Sequence, residues 1–183
     1  VSSVDGDVLL QFGGHVNLRD GNEDDRAVAT NGDGQLFLSA ASIDAYADIR
    51  TLDGDMTLEI QGEAHWIATA ETSPGTEDAI AAAAISQTAD IYITTGANFL
   101  MDAGTSVRSA SGNIGIDTTG DFTVGSVDAV AGYVHVAATG AILDGGESLT
   151  DFIADRLQLE AGTGAGLLGS TNYDPLEIDA TTI

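Results

Sequence analysis

The residues with the clearest chemical spacing are the acids of a loop near the amino-terminal end of the chain. Asp20, Asn22 and Asp24 alternate as oxygen ligands do at the start of a calcium-binding loop. The loop departs from the EF-hand motif, because Asp25 stands where that motif needs glycine and Asn31 where it needs a bidentate glutamate. A second acidic insertion, residues 71–78, is expected at the same corner of the fold. Two interpretations stay open, a Ca²⁺ site or an acidic solvated loop, and the candidate ligands are Asp20, Asn22, Asp24, Asp25, Glu77 and Asp78.

Carboxylates at other predicted corners offer a different set of calcium ligands. Asp7, Asp55 and Asp90 each precede the first apolar residue of a predicted strand. If strands of equivalent sequence stack on one another, the three side chains fall in one column and approach each other. Calcium bound by corner carboxylates is therefore an alternative to calcium bound by the loop.

The histidines, acids and arginines of the sequence give little support for a catalytic site. His15, His65 and His135 lie in different repeats, and we interpret them as surface or packing residues, although the first two could come near each other on second strands. A glycoside hydrolase needs two carboxylates at a set separation, but among 29 acids some pair would satisfy that by chance. A polysaccharide lyase needs clustered cations, and the chain has no lysine and only 5 arginines. We predict no enzymatic activity and no catalytic residue, with a β-helix lyase or hydrolase as the enzyme alternative.

Aromatic side chains could form a sugar-binding surface if several of them pointed outward together. The candidates are Phe12, Phe37, Trp66 and Tyr133. The simpler interpretation is that some of them fill the core and others cover corners. This distinction decides between a carbohydrate-binding module and a purely structural segment.

Composition restricts the partners of the chain. Its 29 acids against 5 arginines give a formal net charge of -24 over 183 residues, so we expect no nucleic-acid partner and no insertion into an anionic membrane. The longest apolar run, residues 79–85, is too short to cross a bilayer. With 43% hydrophobic residues the chain can bury a core, and with no cysteine it has no disulfides or thiolate sites.

An internal repeat predicts the elements that position these residues. Seven short segments with alternating apolar residues recur at intervals of roughly 20 to 35 residues, and each reads as a strand with one buried face. Turn-forming residues precede most of them, and two further short apolar stretches follow each one. We therefore predict an all-β parallel β-helix, a solenoid of about seven coils with three short strands per coil, wound right-handed by crossover chirality. The alternating pairs are Val8/Leu10, Leu36/Leu38, Met56/Leu58, Ile91/Ile93, Ile114/Ile116, Val134/Val136 and Leu157/Leu159.

Two alternatives to this interpretation concern the fold and one segment of the chain. An antiparallel sandwich is the competing fold, since it too is built of short strands with frequent turns. Residues 76–85 combine a capping threonine, early acids and an alanine run, features typical of a helix start, so a short helix there is the alternative to a strand of small residues. We expect the third strand of the third coil at residues 79–80 and the second strand of the seventh coil at residues 166–168.

Several coil phrases recur in a recognisable form: SGNIGI at 111–116, GDFTV at 120–124, TGAILD at 139–144, and the glycine-rich stretch from 157 to 178. With these phrases the chain resembles the β-strand-repeat regions of very large bacterial surface proteins, of the filamentous-haemagglutinin-like and adhesin type. The resemblance covers nearly the whole chain and implies an elongated extracellular stalk or filament. It brings no catalytic residues.

The function predicted from these observations is structural. We expect residues 1–183 to form a single solenoid segment, one unit of a longer array or filament on the bacterial cell surface or outside the cell. Further copies would continue it head-to-tail, either covalently or by stacking, and a surface glycan or protein receptor is a possible partner. A carbohydrate-binding adhesin module is the alternative. The residues expected to meet at the junction between copies are Val1, Ser2, Val4, Asp179, Thr182 and Ile183.

Overall fold

The computed structural model describes residues 1–20, 26–69, 80–145, 150–166 and 175–183. Over these residues the chain forms 22 strands and no helix. The strands are β1 (Ser2–Ser3), β2 (Val8–Gln11), β3 (His15–Leu18), β4 (Arg26–Thr30), β5 (Leu36–Ala40), β6 (Ser42–Ala45), β7 (Asp48–Thr51), β8 (Met56–Ile60), β9 (Ala64–Trp66), β10 (Ala68–Thr69), β11 (Ile80–Ala81), β12 (Ala83–Ser86), β13 (Ile91–Thr95), β14 (Phe99–Met101), β15 (Ser106–Ser109), β16 (Ile114–Thr118), β17 (Phe122–Val124), β18 (Ser126–Ala138), β19 (Ala141–Asp144), β20 (Phe152–Ala161), β21 (Gly164–Ala165) and β22 (Ile178–Thr182).

Apart from β10 and β11, the strands stack in parallel on three faces of a solenoid, which confirms the predicted fold. The first face holds β2, β5, β8, β13, β16 and the second parts of β18 and β20. The second face holds β3, β6, β9, β14, β17, β19 and β21. The third face holds β1, β4, β7, β12, β15, the first parts of β18 and β20, and β22. The first and third faces belong to one sheet, because β18 and β20 run through the corner between them.

The register of the first face confirms all seven predicted first strands. The first inward residue of each strand is paired with its equivalent in the next coil, and both members of most alternating pairs are buried. Burying one such side chain contributes about 1.5–3 kcal/mol, so the column is a main source of stability. In chain order the column is Val8, Leu36, Met56, Ile91, Ile114, Val134 and Leu157.

The inward side of the second face carries the aromatic part of the core. Trp66, Phe99 and Phe122 are fully buried. The ring centroids of Trp66 and Phe99 lie 4.9 Å apart in an edge-on arrangement, and those of Phe99 and Phe122 lie 5.2 Å apart in a stack. Stacking coils thus aligns large side chains that are far apart in sequence.

Two strands lie away from their predicted places. The third strand of the third coil is β12, in which Ala84 pairs with Ile49, rather than residues 79–80. Ile80 and Ala81 instead pair antiparallel with β10, so the chain re-enters the coil only after this pair has closed the base of the insertion. The second strand of the seventh coil is β21, which precedes residues 166–168. Of the segment 76–85, for which a short helix was the alternative, residues 80–81 and 83–85 are strand, and residues 76–79 lie outside the described residues.

Candidate functional site

Of the candidate calcium ligands in the two acidic insertions, Asp20 lies among the described residues. Asp20 follows β3 and is half-buried. The other candidate ligands lie outside the described residues, so calcium binding by the two acidic insertions stays a prediction. They are Asn22, Asp24, Asp25, Glu77 and Asp78.

The corner carboxylates proposed as an alternative calcium set join successive coils. The Asp7 Oδ1 atom accepts a hydrogen bond from the backbone N–H of Gln35 at 2.9 Å. Asp55 Oδ1 likewise accepts from the N–H of Asp90 at 3.2 Å, and Asp90 Oδ1 accepts from the N–H of Asn113 at 2.7 Å. These side chains share one column, as expected, and each has an oxygen bonded to the backbone one coil further along the chain.

The same hydrogen bond recurs at the other two corners. Asn98 Oδ1 accepts from the N–H of Asp121 at 3.0 Å, and Asp121 Oδ1 accepts from the N–H of Ala141 at 2.8 Å. At the third corner Asp48 Oδ1 accepts from the N–H of Ala83 at 3.0 Å. In every case the acceptor precedes an inward residue, and the donor is the equivalent residue of the next coil. We call this set the Asx ladder: Asp7, Asp48, Asp55, Asp90, Asn98, Asn113, Asp121 and Asp151.

A cluster of three carboxylates near the carboxyl-terminal end could hold a metal ion. Asp144 ends β19 on the second face, Asp151 precedes the third-face part of β20, and Glu177 precedes β22. One carboxylate oxygen from each residue lies within 4.8 Å of the others. Oxygen ligands from several carboxylates are what Ca²⁺ prefers. We call these three residues the acidic triad.

Burial distinguishes the acidic triad from the many exposed acids of the chain. Asp151 is fully buried, and its Oδ2 atom accepts a hydrogen bond from the N–H of Glu177 at 2.8 Å. Among the described residues the buried Oε2 atom of Glu177 has no hydrogen-bond partner. Carboxylates held this close repel one another, and a divalent cation would relieve that repulsion. This cluster was not singled out by sequence analysis, because Glu177 lies one coil beyond Asp144 and Asp151 and meets them only through stacking.

The histidines are each paired with a separate acid on the outer surface. The Nδ1 atom of His15 lies 2.8 Å from Ser42 Oγ, and its Nε2 atom lies 3.4 Å from Asp44 Oδ2. His65 Nε2 lies 2.9 Å from Asp102 Oδ1. The serine, histidine and aspartate around His15 are the groups of a hydrolytic triad, but the His15 side chain is 46% exposed. Water therefore reaches it freely, which gives no support to a catalytic role.

The arginines are dispersed rather than gathered into a cationic site. Arg50 and Arg108 pair with carboxylates of the third face, Asp48 and Asp128 respectively. The guanidinium carbon of Arg19 lies 4.0 Å from the centre of the Tyr46 ring. An acidic polysaccharide held by clustered cations therefore has no matching surface on the part of the chain that the structure describes.

The aromatic residues divide between core and surface. Trp66 is fully buried, so it cannot belong to a sugar-binding surface. Phe12 is exposed, while Phe37 and Tyr133 are half-buried. Tyr92, which sequence reasoning missed, points outward from the first face and is 45% exposed. Its hydroxyl donates a hydrogen bond to Asp90 Oδ2 at 2.9 Å, and this bond, burial and the nearby negative charge raise the pKa of Tyr92.

Comparison with known proteins adds no relative. No protein-family model, curated protein or solved structure matches the chain. The resemblance to bacterial surface repeats thus remains one of sequence pattern. In the described part of the chain there is no helix with the length and apolar character to cross a membrane.

Proposed function

We propose that this chain is a non-catalytic structural segment of an extracellular bacterial filament or adhesin stalk, continued head-to-tail by further copies. The observation that carries the proposal is the unbroken register of inward residues on the first face, from Val8 to Leu157. A stack in which each coil contacts mainly its neighbours is suited to length rather than to enclosing a substrate. Its net charge of -24 opposes sideways aggregation.

Stiffness along the stack is supported by two independent sets of contacts. The inward columns pack each coil against the next, and the Asx ladder adds side-chain hydrogen bonds between the same coils. A net contribution of about 1 kcal/mol per hydrogen bond is small alone, but the bonds recur at all three corners. A rod joined in this way resists bending in every direction, as a stalk requires.

Head-to-tail continuation is supported by the edges at the two ends of the described stack. Among the described residues β2 and β3 pair on one side only, and so does β21 at the opposite end. The register continues past the last complete coil, since Thr182 pairs with Arg156. Open strand edges present backbone donors and acceptors that a second parallel edge can pair with. Val1, Val4 and Ile183, which we expect at the junction, are exposed.

The strand count indicates how two copies would have to meet. Over the described residues the first and second faces have seven strands each and the third has eight, because β1 and β22 both pair there. If two copies stack with all three faces in register, β22 of one copy and β1 of the next would occupy the same position on the third face. One of the two strands must therefore unpair. Since β1 pairs through only Ser2 and Ser3, we expect β22 of one copy to displace β1 of the next.

Electron microscopy of the concentrated chain tests this assembly. We expect fibres with an axial repeat of about 34 Å, the height of seven coils at about 4.8 Å each. Deleting residues 1–3 should speed fibre growth, whereas replacing Leu10 on the edge strand β2 by lysine should block it. Monodisperse single rods at all concentrations, with or without residues 1–3, would contradict head-to-tail stacking.

We also propose that the acidic triad binds Ca²⁺ and fixes the last coils of the stack. The support is the convergence of three carboxylates on one point and the burial of Glu177 Oε2. An ion there would tie the end of the second face to two successive strands of the third face. This role suits a structural segment, because it stabilises the stack without any chemistry.

Calorimetric titration with Ca²⁺ distinguishes calcium binding by the acidic triad from calcium binding by the acidic loop. We expect Glu177→Gln to weaken binding at least about tenfold, since a neutral amide loses the charge attraction to the ion. Glu160→Gln, a change at an exposed acid near the same end, should leave the affinity unchanged. Loss of binding in Asp20→Asn but not in Glu177→Gln would move the calcium site to the loop.

A second candidate function, a carbohydrate-binding adhesin module, is favoured by aromatic rings that face outward. Tyr92 and Tyr133 stand on the same face two coils apart. A glycan-binding assay on the intact chain tests this function. Its result is independent of fibre formation.

A further inference from the structure

The outward column of the first face contains one gap. Gly115 stands in the fifth coil where every other coil carries a side chain. A groove of about 320 Å³ on the flank of the solenoid has Gly115 in its lining. From the first coil to the seventh, the column is Leu9, Phe37, Thr57, Tyr92, Gly115, His135 and Gln158.

Aromatic rings wall this groove on both sides. The Tyr92 ring lies against Gly115, so that a Cβ atom added to the glycine would be 3.1 Å from Tyr92 Cδ1. On the other side the rings of Tyr133 and His135 lie 6.2 Å apart, inclined by only 19°. The groove therefore offers apolar ring surface beside the half-buried Gly115.

The walls are held in place before any ligand arrives. The Tyr92 hydroxyl is bonded to Asp90, and the Tyr133 hydroxyl is bonded to Gln158. The guanidinium carbon of Arg156 lies 5.3 Å from the centre of the Tyr133 ring and restrains it further. Rings fixed in this way lose little conformational entropy on binding, which favours affinity.

The groove does not stop at the aromatic rings. A second hollow, of about 570 Å³, adjoins it and shares Thr94 and Asp117 in its lining. Together the two run along β16 from Asn113 to Thr119, which at about 3.3 Å per residue is about 20 Å. The combined groove is long and open, so it suits an extended chain better than a compact small molecule.

The chemistry of the lining selects the ligand. Aromatic rings pack against the apolar faces of sugar rings, and the Asp117 and Glu160 carboxylates and the Thr94 hydroxyl accept hydrogen bonds from sugar hydroxyls. The net charge of -24 repels polyanions. We propose that the groove centred on Gly115 binds an extended, uncharged glycan. This inference deepens the second function proposed above and does not depend on assembly or calcium.

Nuclear magnetic resonance of the intact chain tests the site without any mutation. The probes are neutral oligosaccharides of hexoses and of N-acetylhexosamines, with oligouronates as the charged comparison. We expect saturable shifts of the Gly115 and Tyr133 amide resonances with a neutral probe, and at least about tenfold weaker binding of the oligouronates. If no neutral probe shifts the Gly115 amide at millimolar concentration, the proposal is wrong.

Variants then assign the binding energy to the aromatic walls. Tyr92→Ala and Tyr133→Ala should each weaken binding of the same probe at least about tenfold, since ring contacts are lost. Leu9→Ala is the matched control, because Leu9 is exposed in the same column but belongs to the first coil. Unchanged affinity in Tyr92→Ala, with its melting temperature preserved, would overturn the proposal. Fibres that form while no glycan binds would refute this site alone and leave the structural function intact.

Discussion

At the scale of single residues, the short polar side chains at the corners have a defined structural task. The oxygen of an aspartate or asparagine reaches about one strand spacing, so it can bond the backbone N–H of the next coil. Asp90 Oδ1 accepts from both the backbone N–H and the side-chain amide of Asn113, and Asn113 Oδ1 then accepts from the N–H of Tyr133. The ladder has one direction, since every acceptor points toward the later coil.

Asp121 is the ladder residue that tests this task best. Replacing it by alanine removes the acceptor of the Ala141 N–H, which is bonded at 2.8 Å in a part-buried position. We expect a loss of about 1–3 kcal/mol in the free energy of unfolding, because a donor is left unsatisfied. Urea denaturation of the purified variant measures it.

Two further variants separate the hydrogen bond from the charge. Asp121→Asn keeps an acceptor oxygen, as Asn98 does one coil earlier, and should retain most of the stability. Asp117→Ala removes an exposed carboxylate from the same coil and should change the stability by less than about 0.5 kcal/mol. Equal losses in the asparagine and alanine variants would mean that charge, rather than the ladder bond, stabilises this corner.

At the scale of elements, the corners set the distance between coils. Gly96 follows β13, and a Cβ atom there would lie 1.9 Å from the carbonyl oxygen of Gln61 in the coil before it. The backbones meet without a side chain between them, so the corner can continue the close spacing of the strands. Gly13, at the equivalent corner of the first coil, has no atom within 4 Å of its Cβ position.

Alanine substitution at these two glycines should have opposite effects. Gly96→Ala forces two coils apart, and we expect it to lower the free energy of unfolding by about 3 kcal/mol. Gly13→Ala meets nothing and should be neutral or stabilise by up to about 1 kcal/mol, because it restricts the unfolded chain. Chemical denaturation of both variants gives the comparison. Similar free energies of unfolding for the two variants would show that the coils adjust to a side chain at position 96 without loss of stability.

At the scale of the whole molecule, the excess of negative charge opposes the compact state. Formal charge totals -24, and the acids lie on all three faces of the stack. Repulsion among exposed charges is screened by salt. We therefore expect the stability of the fold to depend on ionic strength.

Thermal melts in NaCl with a chelator present measure this dependence apart from calcium. Between about 0.01 M and 1 M salt the Debye length falls from about 30 Å to about 3 Å. We expect screening to stabilise the fold by about 2 kcal/mol. Since 1 kcal/mol corresponds to about 2–4 °C for a chain of this size, the melting temperature should rise by at least about 5 °C. A melting temperature that stays constant over this range would show that the acids are spaced too widely to destabilise the fold.

The sequence by itself determined the solenoid and the position of most of its coils. Alternation of apolar residues is a local property, and pairs such as Ile114 and Ile116 bury one face wherever the strand lies. Once seven such strands recur, stacking is the way to bury all of them, and the register that results is the one predicted. The acidic character of the chain and its scarcity of cations, five arginines and no lysine, follow from composition alone.

The tertiary structure decided what depends on neighbours in other coils. The strand β21 contains only glycine and alanine, so its place is set by pairing with β19 and not by its own pattern. The third strand of the third coil is β12 rather than residues 79–80, because Ile80 and Ala81 pair with β10 on the other side of the insertion. The acidic triad and the groove at Gly115 likewise arise from stacking, which brings together residues that no local spacing connects.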